Sequence, residues 1–279
     1  METIVCPLCK ESELEVLFYK DKFRVVRCKK CSLMYINPRL TKKESHALYN
    51  KNIISPMQYY EETRHEDRIT FKERLKKIEK RVRGKRMLDI GCNTGTFLGV
   101  AKEAGWGCYG VDVNKGVRKE CEKKGISFFH GTLDTIKFKK NFFDVIIMND
   151  LIEHVHDPRK LLQQARKILK QEGIIFMVTP DAESYAARFL KRRWPHLKPN
   201  EHLMYFSKRT LKKLLKEEGF TIVRMNHIGR WRRVETIVHK GRGVWGGMEM
   251  IEKIIPSKLM KVNISCKLFD ELYVIAQKI

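Results

Sequence analysis

Three groups of residues in this chain have types and spacings that could do chemistry. The first is a pair of C-x-x-C steps, Cys6-Pro7-Leu8-Cys9 and Cys28-Lys29-Lys30-Cys31. Thiolates at that spacing bite a metal from a tight turn, and two such turns make a four-thiolate zinc site from Cys6, Cys9, Cys28 and Cys31. The second is Asp89 and the turn after it, Gly91-Cys92-Asn93-Thr94-Gly95. Glycine has no Cβ and tolerates φ > 0, so a ligand can approach this backbone closely. The helix that follows offers unpaired N–H groups. A further acid, Asp112, closes Cys108-Tyr109-Gly110-Val111-Asp112 about twenty residues on, where a carboxylate can take both hydroxyls of a ribose. The third is Asn149-Asp150-Leu151-Ile152-Glu153-His154, together with His202 in Asn200-Glu201-His202-Leu203. Imidazoles suit proton removal near neutral pH. A dinucleotide site would need G-x-G-x-x-G and a phosphate loop a Lys-Ser/Thr pair after the second glycine; the chain has neither.

Elements that position these residues follow from periodicity. Met87, Leu88 and Ile90 make a short buried strand, and Phe97, Leu98, Val100, Ala101 and Ala104 recur at helical spacing. The alternation continues with a helix over Val117–Lys124 and strands over Ile126–His130, Phe142–Met148, Gly173–Thr179, Thr221–Ile228 and Leu272–Ile279. Asp157-Pro158 opens a helix with a cap and a first-turn proline, and Thr210–Glu218 is amphipathic and stops at Gly219. Such alternation predicts an α/β fold with a largely parallel sheet and helices on both faces. In the first forty residues, Val16–Tyr19 and Phe23–Val26 form a hairpin between the knuckles, and the metal supplies folding energy that so small a segment lacks.

D-x-G-x-x-x-G followed by V-D resembles the class I S-adenosylmethionine-dependent methyltransferases, from about Lys85 to about Phe220. The resemblance implies a Rossmann-like seven-stranded sheet. It also implies that Asp89, Gly91 and Gly95 line the methionine part of the cofactor and that Asp112 holds the ribose. Gly131-Thr132-Leu133 lies at the adenine. Asn93 stands where many members have glycine, and Thr132 where many have an acid. Val113 and Asn149 complete the implied cofactor set. D-L-I-E-H-V-x-D-P is similar to a sequence common in methyltransferases of quinone, sugar and small-molecule pathways, which makes His154 and Asp150 catalytic candidates, and the loop around His202 resembles the acceptor-side loop of related enzymes, which adds His202. Similar E-x-x-E-H strings hold a divalent ion, so magnesium or manganese at Asp150, Glu153 and His154 is a further expectation. CKKCSLMYINPRLT resembles a zinc ribbon that precedes methyltransferase domains in sugar and cell-envelope gene clusters. A zinc knuckle also precedes some ribosomal-RNA methyltransferases.

The 279 residues, 43% hydrophobic, suffice for one sizeable domain with an appendage. The expected layout is a ribbon over 1–40, a helical linker or lid over 41–84 that includes Tyr59 and Tyr60, and a methyltransferase domain over 85–279. An insertion near 229–265 carries Met248, Ile251, Ile254, Ile255, Leu259 and Met260, and fits a lid, a dimer face, a membrane-facing surface or an ordinary packed helix. No apolar run reaches the length of a membrane span and no signal-peptide pattern opens the chain, so the expected location is cytoplasmic, with peripheral contact at the inner membrane face. The net charge of +24 implies attraction to nucleic acid, anionic lipid or phosphorylated substrates. Arg188, Lys191, Arg192, Arg193 and Trp194 follow the fifth strand and are expected to overhang the acceptor and read its phosphate. The function that fits is methyl transfer to a small-molecule, sugar or lipid-linked glycan acceptor. The alternatives are an RNA methyltransferase guided by the ribbon and basic surface, and a binding module on a catalytically dead scaffold.

Overall fold

The computed structural model describes residues 1–50, 61–241 and 254–279. Tyr59, Tyr60, Met248 and Ile251 lie outside the described residues. Among the described residues the strands form two sheets. The larger has the order β10-β11-β8-β7-β4-β5-β6, with β4 Arg86–Ile90, β5 Gly107–Asp112, β6 Ser127–His130, β7 Phe143–Asn149, β8 Leu169–Pro180, β10 Phe220–Arg233 and β11 Asn263–Lys278. Strands β8, β7, β4, β5 and β6 run parallel, while β11 is antiparallel to both neighbours. β7 is apolar along nearly its whole length because both its faces are covered. The expected seven-stranded Rossmann-like sheet is therefore present, and its central strands carry the carboxyl ends at which ligands bind.

Nine helices are described: α1 Lys42–Asn50, α2 Arg64–Glu79, α3 Thr96–Glu103, α4 Arg118–Lys123, α5 Pro158–Ile168, α6 Tyr185–Leu190, α7 Lys208–Glu217, α8 Val234–Gly241 and α9 Ser257–Met260. The Asp157 carboxylate accepts the Lys160 N–H at the start of α5. Ser207 and Thr210 form a capping box on α7. α2 lays Leu75 and Ile78 into the core beside Phe97, and its Phe71 meets the Phe97 ring edge-on at 5.2 Å. None of the helices is long and apolar enough to cross a membrane.

The smaller sheet has the order β1-β2-β3-β9, with β1 Leu14–Lys20, β2 Phe23–Cys28, β3 Met34–Ile36 and β9 Met204–Tyr205. The expected hairpin is β1–β2. Its sheet is completed by β9, which comes from the loop after α6. The first forty residues also share one core with the large sheet: Cys6, Leu8, Val26 and Leu33 pack in the same cluster as Leu88, Leu211, Leu214 and Phe220. β10 and β11 run on together into the segment 229–265, pairing as far as Arg233 with Asn263. That extension carries Arg230 over the carboxyl end of β7.

Candidate functional site

In the ribbon the four cysteine sulfurs all lie within 4.8 Å of one another. Cys6 Sγ is 3.5 Å from Cys31 Sγ, and Cys9 Sγ is 3.4 Å from Cys28 Sγ. Four thiolates about 2.3 Å from one zinc ion are spaced roughly 3.8 Å apart, so the cage fits zinc. The two turns are alike. Lys10 N–H donates to Cys6 O and Ser32 N–H to Cys28 O, each at 2.9 Å. Lys10 and Ser32 both have φ of 62°, the left-handed region. A hydrogen bond with Cys6 lowers the Cys31 thiol to about 5; the reciprocal bond, followed by burial, raises Cys6.

The glycine turn follows β4. Gly91 (φ 76°) and Cys92 both donate N–H to Val111 O, which ties the turn to β5. A Cβ on Gly91 would lie 3.0 Å from Leu151 Cδ1. Asn93 takes the glycine-like φ of 48°. Its N–H donates to Asp112 Oδ2 at 2.8 Å, and Asn114 N–H donates to Asp112 Oδ1 at 2.8 Å. Each carboxylate oxygen keeps a further lone pair for a hydroxyl. Asp89 is buried, and its Oδ1 has no partner in the protein. Burial, followed by the Asp112 carboxylate, pushes the Asp89 carboxyl well above the usual range.

A cavity of about 980 Å³ opens here. Its walls include Asp89, Gly91, Asn93, Asp112, Val113, Thr132, Leu133 and Asn149, and it continues to Asp150, Glu153, His154 and His202. Gly95 is not among the lining residues. It starts α3 with φ of 69°, and a Cβ there would meet Ile126 Cδ1 at 2.6 Å and Cys121 Sγ at 3.1 Å. Its place is set by helix packing rather than by contact with the cavity. The buried orphan oxygen of Asp89, the close-approach turn and the two-oxygen cradle of Asp112 fit S-adenosylmethionine.

Asp150 does not join Glu153 and His154 as the D-x-x-E-H spacing predicts. Arg230 Nη2 lies 2.7 Å from each of its oxygens. Burial alone would raise Asp150, but the Arg230 and Arg74 guanidiniums override it and hold the carboxyl low. The donors that do converge, within 4.8 Å, are Glu153, His154 and His202. Burial raises Glu153 to about 8, and Thr179 Oγ1 donates to its Oε2 at 2.9 Å. Burial lowers His154 to about 4 and His202 further below its usual range. His154 Nδ1 is 2.9 Å from Glu201 O, so its N–H donates there and Nε2 keeps the lone pair. The two rings meet edge-on at 4.7 Å. One carboxyl and two imidazoles make a nitrogen-rich donor set, unlike the oxygen ligands that magnesium takes.

The basic loop after β8 departs from expectation as well. Trp194 is 2% exposed, packed with Phe23, Val25, Ile36 and Tyr205, and its indole N–H points to Asp270 Oδ2 at 3.4 Å. Arg192 lies over the Phe18 ring, 5.5 Å from its centroid. Arg188, Lys191, Arg192 and Arg193 line no part of the cavity; Pro195, His196 and Lys198 do. The indole is drawn inward by the apolar cluster under the ribbon, which turns the cations outward.

Residues 60–225, more than half of the chain, match the methyltransferase-domain family. The chain belongs to this family of S-adenosylmethionine-dependent methyltransferases. An uncharacterized protein of Methanocaldococcus jannaschii is 27% identical over 155 residues, 56% of this chain and 74% of that protein. The ubiquinone biosynthesis O-methyltransferase of Actinobacillus pleuropneumoniae is 31% identical over 34% of this chain. Norajmaline N-methyltransferase of Rauvolfia serpentina is 32% identical over 47%. This methyltransferase spans less than half the length of those two relatives, 46% and 44%. In fold it is similar to a methyltransferase of Thermotoga maritima, with a TM-score of 0.57 at 18% identity over 84% of this chain and 100% of that one. It is also similar to one from Archaeoglobus fulgidus, with a TM-score of 0.53 at 22% identity over 79% and 99%.

Sequence reasoning missed two residues of this methyltransferase's site. Glu271 on β11 receives Arg230 Nε at 2.8 Å, and Arg74 on α2 donates from Nη1 to Asn149 Oδ1 at 3.0 Å. Arg74 Nη2 is also 3.7 Å from Glu271. No local spacing signals either residue, because their partners come from other elements.

Proposed function

We propose that the protein transfers a methyl group from S-adenosylmethionine to a small-molecule, sugar or lipid-linked glycan acceptor. The observation that carries this is the single cavity running from the Asp112 cradle past Asn149 to Glu153, His154 and His202. Bound there, S-adenosylmethionine supplies an electrophilic methyl on a sulfonium. Asp112 takes the ribose hydroxyls, Asp89 and Gly91 face the methionine part, and Leu133 and Thr132 hold the adenine. Asn149 Nδ2, buried and without a partner, is left to donate to a ligand. Two relatives are named for ubiquinone biosynthesis and for norajmaline, which supports an acceptor small enough to enter a cavity.

On the acceptor side, burial favours the neutral form of the His154 and His202 imidazoles. When Glu153 ionises, its charge beside them raises their basicity and favours removal of the acceptor proton. Asp150 acts with Arg230 as a fixed wall that orients the acceptor rather than as a base. In the ribbon, the cysteine cage would hold one structural zinc ion.

Calorimetry with S-adenosylmethionine tests the cofactor half. Expected is saturable binding that Asp112→Ala weakens; absence of binding by the folded protein would overturn the reading. Methyl transfer from labelled cofactor to nucleotide sugars and lipid-linked glycans, against RNA, tests the acceptor. Steep loss of RNA retention with salt, together with RNA methylation, would replace the small-acceptor reading with the RNA one.

A further inference from the structure

The cations that the cavity does not use stand together on its border. Arg188 lies on α6, and Lys191, Arg192 and Arg193 form the 3-10 turn that follows. All four are exposed. Among the described residues, the ion pairs of this stretch belong to His196 and Lys198, not to these four. On the same helix, Tyr185 is 85% exposed and Phe189 76%. They are four residues apart and so share a face. The opposite face is anchored: Ala187 packs with Trp194, Leu197 and Tyr205. The helix is bracketed by cavity walls, with Pro180 before it and Pro195, His196 and Lys198 after it.

We propose that α6 and its basic turn dock this methyltransferase onto an anionic lipid bilayer, bringing the cavity to the membrane surface. Aromatic rings sit well at headgroup depth, and arginine and lysine are drawn by the negative surface potential. Two exposed rings on one helix, with Arg188 beside them in sequence and the basic turn directly after, match a bilayer interface. A single-stranded RNA site would instead want rings set along a basic groove that tracks the strand. The proposal deepens the reading above and rests on it for the kind of acceptor, one anchored in lipid. The surface itself is testable without any acceptor.

The test is flotation of the full chain with vesicles of phosphatidylcholine, with and without about a third phosphatidylglycerol. Expected is binding to the anionic vesicles and not to the neutral ones. Arg192→Gln with Arg193→Gln should reduce binding by roughly thirty-fold, since each cation near such a surface is worth about a factor of five. Tyr185→Ser with Phe189→Ser should also reduce it, while both double variants keep the unfolding midpoint and S-adenosylmethionine affinity of the parent. Equal vesicle binding by parent and both variants would mean that net charge alone attracts the protein, and would overturn the proposal. So would no binding to anionic vesicles, or tighter binding to an oligo-uridine probe that these same variants lose. Intact cofactor affinity in any of these outcomes leaves the methyltransferase reading standing.

Discussion

Arg230 grips Asp150 with Nη2 2.7 Å from each carboxylate oxygen, although the two residues lie 80 positions apart. Asp150 sits at φ of 49°, an unusual conformation for a side-chain-bearing residue. Arg230 in turn is held by Glu271, which also faces the fully buried Arg74. These four side chains thus form one chain of alternating charges carried by α2, the end of β7, β10 and β11.

Glu271→Ala should therefore destabilise the protein by about 3–5 kcal/mol, the usual cost of leaving a buried charge without its partner. Denaturant unfolding reads this directly. A loss below about 1 kcal/mol would mean that Asp150 alone suffices to hold the two arginines.

For the cofactor, Asp112→Ala should weaken S-adenosylmethionine binding by about 1.5–3 kcal/mol, the range for charged hydrogen bonds. The same carboxylate accepts the Asn93 and Asn114 N–H groups, so the turn should loosen as well. Calorimetry and hydrogen exchange over residues 91–95 check the two effects. An unchanged dissociation constant would remove Asp112 from the site.

In the ribbon, elemental analysis of protein purified without added metal should find one zinc per chain held by Cys6, Cys9, Cys28 and Cys31. Less than about half an equivalent, with all four thiols reactive, would contradict the zinc cage. Lys10→Gly and Ser32→Gly should each stabilise the protein by about 1 kcal/mol, because both positions hold left-handed backbone that costs a side-chain-bearing residue. A thermal midpoint that falls in both variants would show that the side chains matter more than the backbone strain.

Glu153 makes a pH prediction. Its carboxyl is raised from 4.5 to about 8, by burial first and by Asp150 next. Methyl transfer should therefore rise with pH through about 8 as the group ionises, and Glu153→Gln should remove that limb. Stability runs the other way. A folded-state pKa above the unfolded one contributes stability that is present below pH 4.5 and lost as pH rises through 8. Glu153→Gln, neutral at every pH, should show a flatter stability curve over that window. A wild-type pH–rate profile flat between 6 and 9 in about single-unit steps would exclude the group from proton removal.

What this sequence determined by itself is what short spacing controls. Two C-x-x-C turns fix where four sulfurs point. A strand, a glycine turn and Asp112 at the next strand end fix the cradle proposed for the cofactor. The apolar runs of β4, β7 and β8 fix a sheet buried on both faces. Each of these depends on neighbours along the chain or on the next parallel strand. Tertiary structure decided the rest. Asp150, Glu153 and His154 look equivalent in sequence, yet the β10–β11 register delivers Arg230 to Asp150 alone, and the loop before β9 delivers His202 to the other two. Trp194 reads as an exposed reader of ligands beside its arginines, but the apolar surface under the ribbon buries it and faces the cations outward. The ribbon, separable on paper, is joined to the catalytic sheet because β9 completes its own sheet and Leu8 and Leu33 share one apolar cluster with Leu211, Leu214 and Phe220. A chain rich in charge of both signs offers many pairings, and only the packing of distant elements selects among them.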